Sequence, residues 1–243
     1  MKSADVGFMR SLVSYSHDGL EFECPCWIPP FTDSPKPALF VFPNLWGPNA
    51  YWEEMLEVYA SLGYPVMVVD MYGKDTRPQT HPEAMEVIGA LKQNRELVRK
   101  RALKALEEFT GLPEVDSERV AALGYCFGGM CVLELARISA PVLGVISMHG
   151  ALDTPLPATG AGEVKPKVLV LHGSEDPSIP DSDVSDFIGE MRAAEADWQL
   201  VHFGGQVHAF TDLNANRPGQ AEYHALTDQR SWKMFTNFLD ELF

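Results

Sequence analysis

The chain has 243 residues, 46% of them apolar, with 34 acidic residues against 19 basic ones and a formal charge of −15. That length and apolar content suffice for a single α/β domain built on one large sheet. The carboxylate excess argues against nucleic acid or an anionic membrane as partner, and disfavours strongly anionic substrates unless a local basic patch compensates.

In chain order, the opening segment 10–28 reads as a β-hairpin: Ser11–Tyr15, a His17-Asp18-Gly19 turn in which Asp-Gly is the hairpin signal, then Leu20–Cys24. The proline-rich stretch Pro29–Pro37 is a surface connection. Ala38–Phe42 is a continuous apolar run, as a buried central strand requires, and it runs into Pro43-Asn44-Leu45-Trp46-Gly47-Pro48; helical spacing follows over 49–62. A strand over Pro65–Asp70 ends in Met71-Tyr72-Gly73-Lys74. A polar loop with Arg77 and His81 leads to one long helix, about Pro82–Phe109, closed by Gly111-Leu112-Pro113. After the segment around residue 126, taken up below, strands are expected over Val142–Ser147, Lys167–His172 and Trp198–Phe203. Helices are expected over about 181–195 and 221–242, the last with Trp232, Phe235, Phe238 and Leu239 on one face. Strands alternating with helices predict a mostly parallel central sheet of about eight strands with helices on both faces. No insertion is long enough for a lid domain, which implies a shallow site for small substrates.

Val120–Gly124 is an apolar strand end, followed by Tyr125-Cys126-Phe127-Gly128-Gly129 and an apolar helical run from Met130. This is the strand–turn–helix context of a nucleophile elbow, with cysteine at the apex where serine is usual. Gly124 and Gly128 are needed where strand and helix cross tightly, Gly129 lets the helix start against the sheet, and the helix N-terminus favours a thiolate. In a parallel sheet, ligands bind beyond the carboxyl ends of the strands. Asn44-Leu45-Trp46, Tyr72-Gly73-Lys74, Cys126, Asp176 and His208 all sit at such ends. Nucleophile, acid, histidine is the α/β-hydrolase order, so Cys126, Asp176 and His208 are the candidate triad. Among the other histidines, His17, His81, His172 and His202 fit turn, loop or strand-packing roles, while His149 and His224 stay open. Asp153, Asp181 and Asp183 fit loop and helix-start roles, and Asp70 comes too early in the chain.

Gly124-Tyr125-Cys126-Phe127-Gly128-Gly129 resembles the elbow of the dienelactone hydrolase family of α/β-hydrolases. The likeness extends through Leu45-Trp46-Gly47-Pro48-Asn49, Asp70-Met71-Tyr72-Gly73, His172-Gly173-x-x-Asp176-x-x-x-Pro180 and Gly205-x-x-His208-x-Phe210, nearly the whole chain. It implies an α/β-hydrolase fold and hydrolysis of a small ester, lactone or thioester through an acyl-enzyme on Cys126. The backbone N–H groups of Leu45 and Phe127 would form the oxyanion hole. Two departures bear on the substrate. Dienelactone-cleaving members carry a glutamate where this chain has Asn44. They also hold the substrate carboxylate with two arginines, at the positions of Lys74 and Asp212. An acid at 212 repels a carboxylate, and Arg77 is the nearest substitute. Asn44, Trp46, Tyr72, Lys74, Tyr125 and Asp212 are the expected pocket residues.

No metal-ligand spacing, phosphate-cradling loop or dinucleotide fingerprint occurs, so no cofactor or metal is implied. Four cysteines, Cys24, Cys26, Cys126 and Cys131, call for no disulfide framework. Met1–Asp5 has no signal-peptide character and no run of 18 apolar residues exists. A cytoplasmic monomer or small homo-oligomer acting on a small molecule is the expectation. The alternatives are a thiol-dependent acyl transferase, or a pseudo-hydrolase that binds a ligand or senses redox state.

Overall fold

The computed structural model describes residues 9–30 and 34–243. The Met1–Asp5 segment and the centre of the Pro29–Pro37 connection lie outside the described residues. Strands β1 (Met9–His17) and β2 (Leu20–Ile28) form the opening hairpin. His17 pairs with Leu20, so Asp18 and Gly19 alone make the turn, both left-handed at φ 49° and 76°. A two-residue turn of this hand matches the twist of the strands it joins, which is why Asp-Gly favours it.

The chain continues through β3 (Lys36–Phe42), α1 (Ala50–Ala60), β4 (Val66–Val68), α2 (His81–Gln93), α3 (Arg95–Thr110) and β5 (Val115–Tyr125). Next come α4 (Phe127–Arg137), β6 (Gly144–Met148), β7 (Lys167–Gly173), α5 (Asp181–Ala193) and β8 (Trp198–Phe203). The short β9 (Asn216–Arg217) and β10 (Ala221–Glu222) pair with each other before α6 (Ala225–Leu242). Eight strands form the main sheet in the order β1-β2-β4-β3-β5-β6-β7-β8. Every pair from β4 onward is parallel, and the hairpin attaches antiparallel through β2.

Strand alternation sorts the core into two layers. Leu39, Val41, Leu123 and Ile146 face α1 and α6, where Trp52, Tyr59, Phe235 and Phe238 pack. Phe40, Phe42, Ala122 and Val145 face the opposite layer of Val98, Phe109, Met130 and Phe187 from α3, α4 and α5. Burying a residue such as Phe235 completely is worth roughly 1.5–3 kcal/mol.

Three expected boundaries shift for local reasons. The long helix is two, because Asn94 leaves helical geometry (φ −123°, ψ 71°) and its side chain accepts from Leu97 N–H, starting α3 afresh. The last helix begins at Ala225: His224 caps it by accepting from Thr227 N–H, and 221–222 are taken by the β9–β10 pair. The strand expected over Pro65–Asp70 shortens to Val66–Val68, since the Asp70 side chain folds onto Tyr72 and Gly73 N–H in the turn that follows. Among the described residues no helix is long and apolar enough to cross a membrane.

Candidate active site

The sheet order turns back between β3 and β5, and the loops after these two strands open the crevice in which Cys126 stands. Cys126 has φ +54° and ψ −114°, a conformation costly for any residue with a side chain. The neighbouring glycines make it possible. A Cβ on Gly124 would lie 2.0 Å from the Gly128 carbonyl oxygen, and one on Gly128 would lie 2.2 Å from that of Phe42. A Cβ on Gly129 would come 2.7 Å from Gly150 Cα. Strand β5 and helix α4 thus meet backbone to backbone, and the sulfur is lifted above the sheet at the first turn of α4.

Two further loops bring the partners in. The loop after β7 carries Asp176 and the loop after β8 carries His208. Ser174 N–H donates to Phe203 O at 3.1 Å, Glu175 N–H to Gln206 O at 2.8 Å, and Gly205 N–H to Ser174 Oγ at 2.9 Å. A Cβ on Gly173 would meet the Gln206 and Val207 carbonyls at 2.6 Å, so glycine is needed for this approach. His208 is pinned from the other side: its N–H donates to Gln220 O (3.2 Å), and its carbonyl accepts from Glu222 N–H (3.0 Å).

The outcome is a continuous relay. His208 Nε2 lies 3.1 Å from Cys126 Sγ, and His208 Nδ1 lies 2.7 Å from Asp176 Oδ2. The other Asp176 oxygen accepts from Ser178 N–H at 2.9 Å and Ser178 Oγ at 2.6 Å. Burial pushes the Cys126 thiol up, yet the charge on His208 and the hydrogen bond between them outweigh it and hold the thiol below its ordinary value. Burial alone would lower His208. The adjacent sulfur and Asp176 instead raise it to about 10. Asp176, also penalised by burial, is brought below the usual carboxylate range by His208 and Ser178. These shifts all run in one direction, towards a thiolate facing an imidazolium oriented by a carboxylate. Cys24 and Cys26, by contrast, are pushed up to about 12, chiefly by burial.

Two cavities flank the sulfur. One, of about 260 Å³, is walled by Asn44, Trp46, Trp52, Tyr125, His149 and Asp212; the other, of about 410 Å³, runs beneath α2. Leu45, His81, Cys126, His208 and Arg217 line both. The backbone N–H of Phe127 hydrogen-bonds to Cys126. Asn44 accepts from Trp46 N–H (3.3 Å) and Trp52 Nε1 (3.4 Å) and donates to Asp212 (3.3 Å), so its amide braces the chamber wall.

Two expected pocket residues do not line either cavity. Lys74 swings to the hairpin, 3.6 Å from Glu23. Tyr72 is buried, its ring stacked on Phe127 at 5.6 Å and its hydroxyl donating to Leu45 O at 3.0 Å, so it supports the wall from behind. Arg77 is equally unavailable, bonded through Nε and Nη2 to buried Asp70 at 3.1 and 2.8 Å. Asp153 is tied to Arg95 (3.1 Å), away from His208. Asp181 and Asp183 sit in the first turn of α5, and His172 packs on His202.

One residue left open by sequence reasoning enters the site. His149 is buried, left-handed at φ +42°, and its ring meets that of His208 at 5.1 Å while Nε2 pairs with Thr211 Oγ1 at 2.8 Å. Burial and the charge on His208 hold it well below the ordinary histidine range, hence neutral. Its position just beyond β6, at a strand's carboxyl end, was the available signal. Among the described residues no group of three or more His, Cys, Asp or Glu could hold a metal ion.

The profile of the dienelactone hydrolase family matches residues 27–243. The chain belongs to the dienelactone hydrolase family. Membership makes it an α/β-hydrolase-fold hydrolase and implies a small-molecule ester or lactone as substrate. Among solved structures, this dienelactone hydrolase family chain is similar to the dienelactone hydrolase-like promiscuous phosphotriesterase P91 from metagenomic libraries. The two are 34% identical with a TM-score of 0.89, over 97% of this chain and 99% of that one. Protein K02A2.1 of Caenorhabditis elegans is 33% identical over 150 residues, 60% of this chain and 94% of its own length. A Saccharolobus solfataricus protein provisionally named a carboxymethylenebutenolidase is 22% identical over 264 residues, covering 95% of this chain and 98% of its own.

Proposed function

We propose that this dienelactone hydrolase family member is a cysteine hydrolase that cleaves small esters or lactones through an acyl-enzyme on Cys126. The observation that carries the reading is the unbroken Cys126–His208–Asp176 relay, with contacts of 3.1 and 2.7 Å, on a strained elbow beside two cavities. The Cys126 thiolate attacks the carbonyl carbon, and the oxyanion is received by the N–H groups of Leu45 and Phe127. His208 gives its proton to the leaving alkoxide as the C–O bond breaks. Neutral His208 then takes a proton from water, whose oxygen attacks the thioester. Collapse expels the thiolate, and His208, now protonated, restores the resting pair. Asp176 keeps Nε2 facing the sulfur and balances the imidazolium charge.

Asn44 at the position of the family's glutamate leaves no carboxylate there to compete for the thiol, which supports a resting thiolate. Lys74 and Asp212 offer no cationic clamp where dienelactone-cleaving relatives have arginines. Neutral small esters and lactones are therefore the better substrates relative to dienelactones held in that manner. Likeness to P91 adds neutral phosphotriesters to the substrates worth assaying.

The test is a panel of p-nitrophenyl esters, small lactones and paraoxon against wild type and Cys126→Ala. Turnover should vanish in the variant. Mass spectrometry of acid-quenched wild type should find the acyl group on the peptide containing Cys126. Turnover retained by Cys126→Ala refutes the nucleophile assignment.

A further inference from the structure

The cavity beneath α2 has a composition at odds with the chain as a whole. The protein carries 34 acidic and 19 basic residues, yet among the described residues no Asp or Glu lines this cavity of about 410 Å³. Its walls are mostly apolar, with Leu45, Met85, Ile88, Phe127, Ala151 and Pro177 beside the polar His81, Ser178 and Gln220. Apart from the Cys126–His208 pair, the charged residues among the described ones that line it are both cations, Lys92 near the end of α2 and Arg217 on β9. Both are exposed, and neither is held by a salt bridge or side-chain hydrogen bond among the described residues. Asp183, an acidic neighbour whose charge Lys92 senses, stops short of an ion pair with it. Lys92 also lies close enough to Cys126 to act on the sulfur's charge, so cavity, cation and reacting atom share one space.

The other arginines near the site are spent on the fold. Arg77 holds Asp70, Arg95 holds Asp153, Arg99 holds Glu134 and Arg137 holds Glu190. Leaving two uncommitted cations at the rim of an apolar trough, on a strongly negative protein, makes that trough the local basic patch an anionic substrate would need. The volume is in the range of small-molecule sites, roughly 300–1,000 Å³.

We infer that the cavity beneath α2 receives one arm of the substrate, an aliphatic or aryl chain ending in a carboxylate that Lys92 and Arg217 recognise. This rests on the reading of Cys126 as the nucleophile and names the substrate class of that site: monoanionic esters in which the charged end lies several bonds from the scissile carbonyl. The charge is thus recognised at the α2 end of the site, with Arg217 bordering both cavities. A carboxylate in the chamber of Asp212 meets that acid beside Arg217, whereas one directed at α2 meets Lys92 and Arg217 with no Asp or Glu among the described lining residues.

Two ester series test this at low ionic strength. In one, the ω-carboxylate is on the acyl arm, from mono-p-nitrophenyl succinate to suberate, against p-nitrophenyl alkanoates of equal length. In the other, a carboxylate on a phenyl leaving group is compared with the uncharged phenyl ester. For at least one series, the charged ester should have kcat/KM roughly tenfold above its neutral partner, as one charge-assisted contact allows. That ratio should fall about tenfold in Lys92→Gln and in Arg217→Gln, return in Lys92→Arg, and shrink in 0.5 M NaCl. Neutral esters favoured in both series, or a ratio unmoved by either variant, would overturn the inference. So would an equal loss on charged and neutral esters.

Binding separates this inference from the nucleophile assignment. Adipanilic acid, an anilide that this site need not cleave, is titrated calorimetrically into Cys126→Ala against neutral hexananilide. Charge preference lost in Cys126→Ala/Lys92→Gln supports the cleft even if Cys126 proves not to be the nucleophile. Absence of any preference refutes the cleft even if Cys126 is.

Discussion

Asp176→Asn is the substitution that most directly probes the relay. Asp176 is buried, and its Oδ2 receives His208 Nδ1 at 2.7 Å while the other oxygen is occupied by Ser178. Asparagine is nearly isosteric. Its oxygen can keep the two Ser178 bonds, so its amide group then faces Nδ1. Two donors cannot share that contact, and the imidazole responds by accepting at Nδ1 and carrying its proton on Nε2. In that tautomer the nitrogen facing Cys126 is already protonated and cannot take the thiol proton. The charge that balanced the imidazolium is also gone. Losing the correct tautomer together with the balancing charge removes about 4 kcal/mol of transition-state stabilisation. At about 1.4 kcal/mol per factor of ten, kcat/KM on a p-nitrophenyl ester should fall on the order of a thousandfold. The thermal midpoint should stay close to wild type, because Ser178 still anchors the loop. A drop of less than tenfold would refute the reasoning. Asp153 offers no fallback, since it is committed to Arg95.

Alkylation of Cys126 by iodoacetamide should rise far less between pH 7 and 9 than the roughly 25-fold of a thiol of ordinary pKa, flattening towards a plateau. The plateau persists while His208 keeps its proton and ends as pH rises through its value of about 10; a rise typical of a free thiol, or faster labelling of Cys24 or Cys26, contradicts the ion pair. Gly128→Ala places a methyl group 2.2 Å from the Phe42 carbonyl oxygen, so soluble expression should collapse; a folded, active variant would mean the elbow tolerates a side chain. Glu134 is fully buried between Arg99 at 2.7 Å and Arg137 at 3.0 Å. Glu134→Gln should therefore lower the melting temperature by roughly 10 °C while sparing the chemistry; an unchanged midpoint would show the cluster contributes little.

Much of the architecture was legible in the sequence because it follows from local chemistry. Asp18-Gly19 dictates its own turn, the apolar run Ala38–Phe42 can only be a two-sided buried strand, and the glycines around Cys126 announce a crossing too tight for side chains. Strand-end positions then single out Cys126, Asp176 and His208, because parallel topology gathers such ends on one edge. Asn94 was a local signal of the same kind, a capping residue hidden inside a helical pattern that spacing alone runs straight through. What tertiary structure alone decided concerns which distant segments meet. Lys74 is basic and follows a strand end, yet Glu23 on the hairpin draws it from the cavity, a contact that depends on β2 pairing with β4. Arg77 is consumed by Asp70 for the same kind of reason, a buried carboxylate needing a cation more than a pocket does. Lys92 and Arg217 look like ordinary surface charges in the chain. They become cavity residues only because α2 and the β9–β10 pair both fold over the cavity beside Cys126, bringing positive charge to a place that periodicity, spacing and composition do not describe.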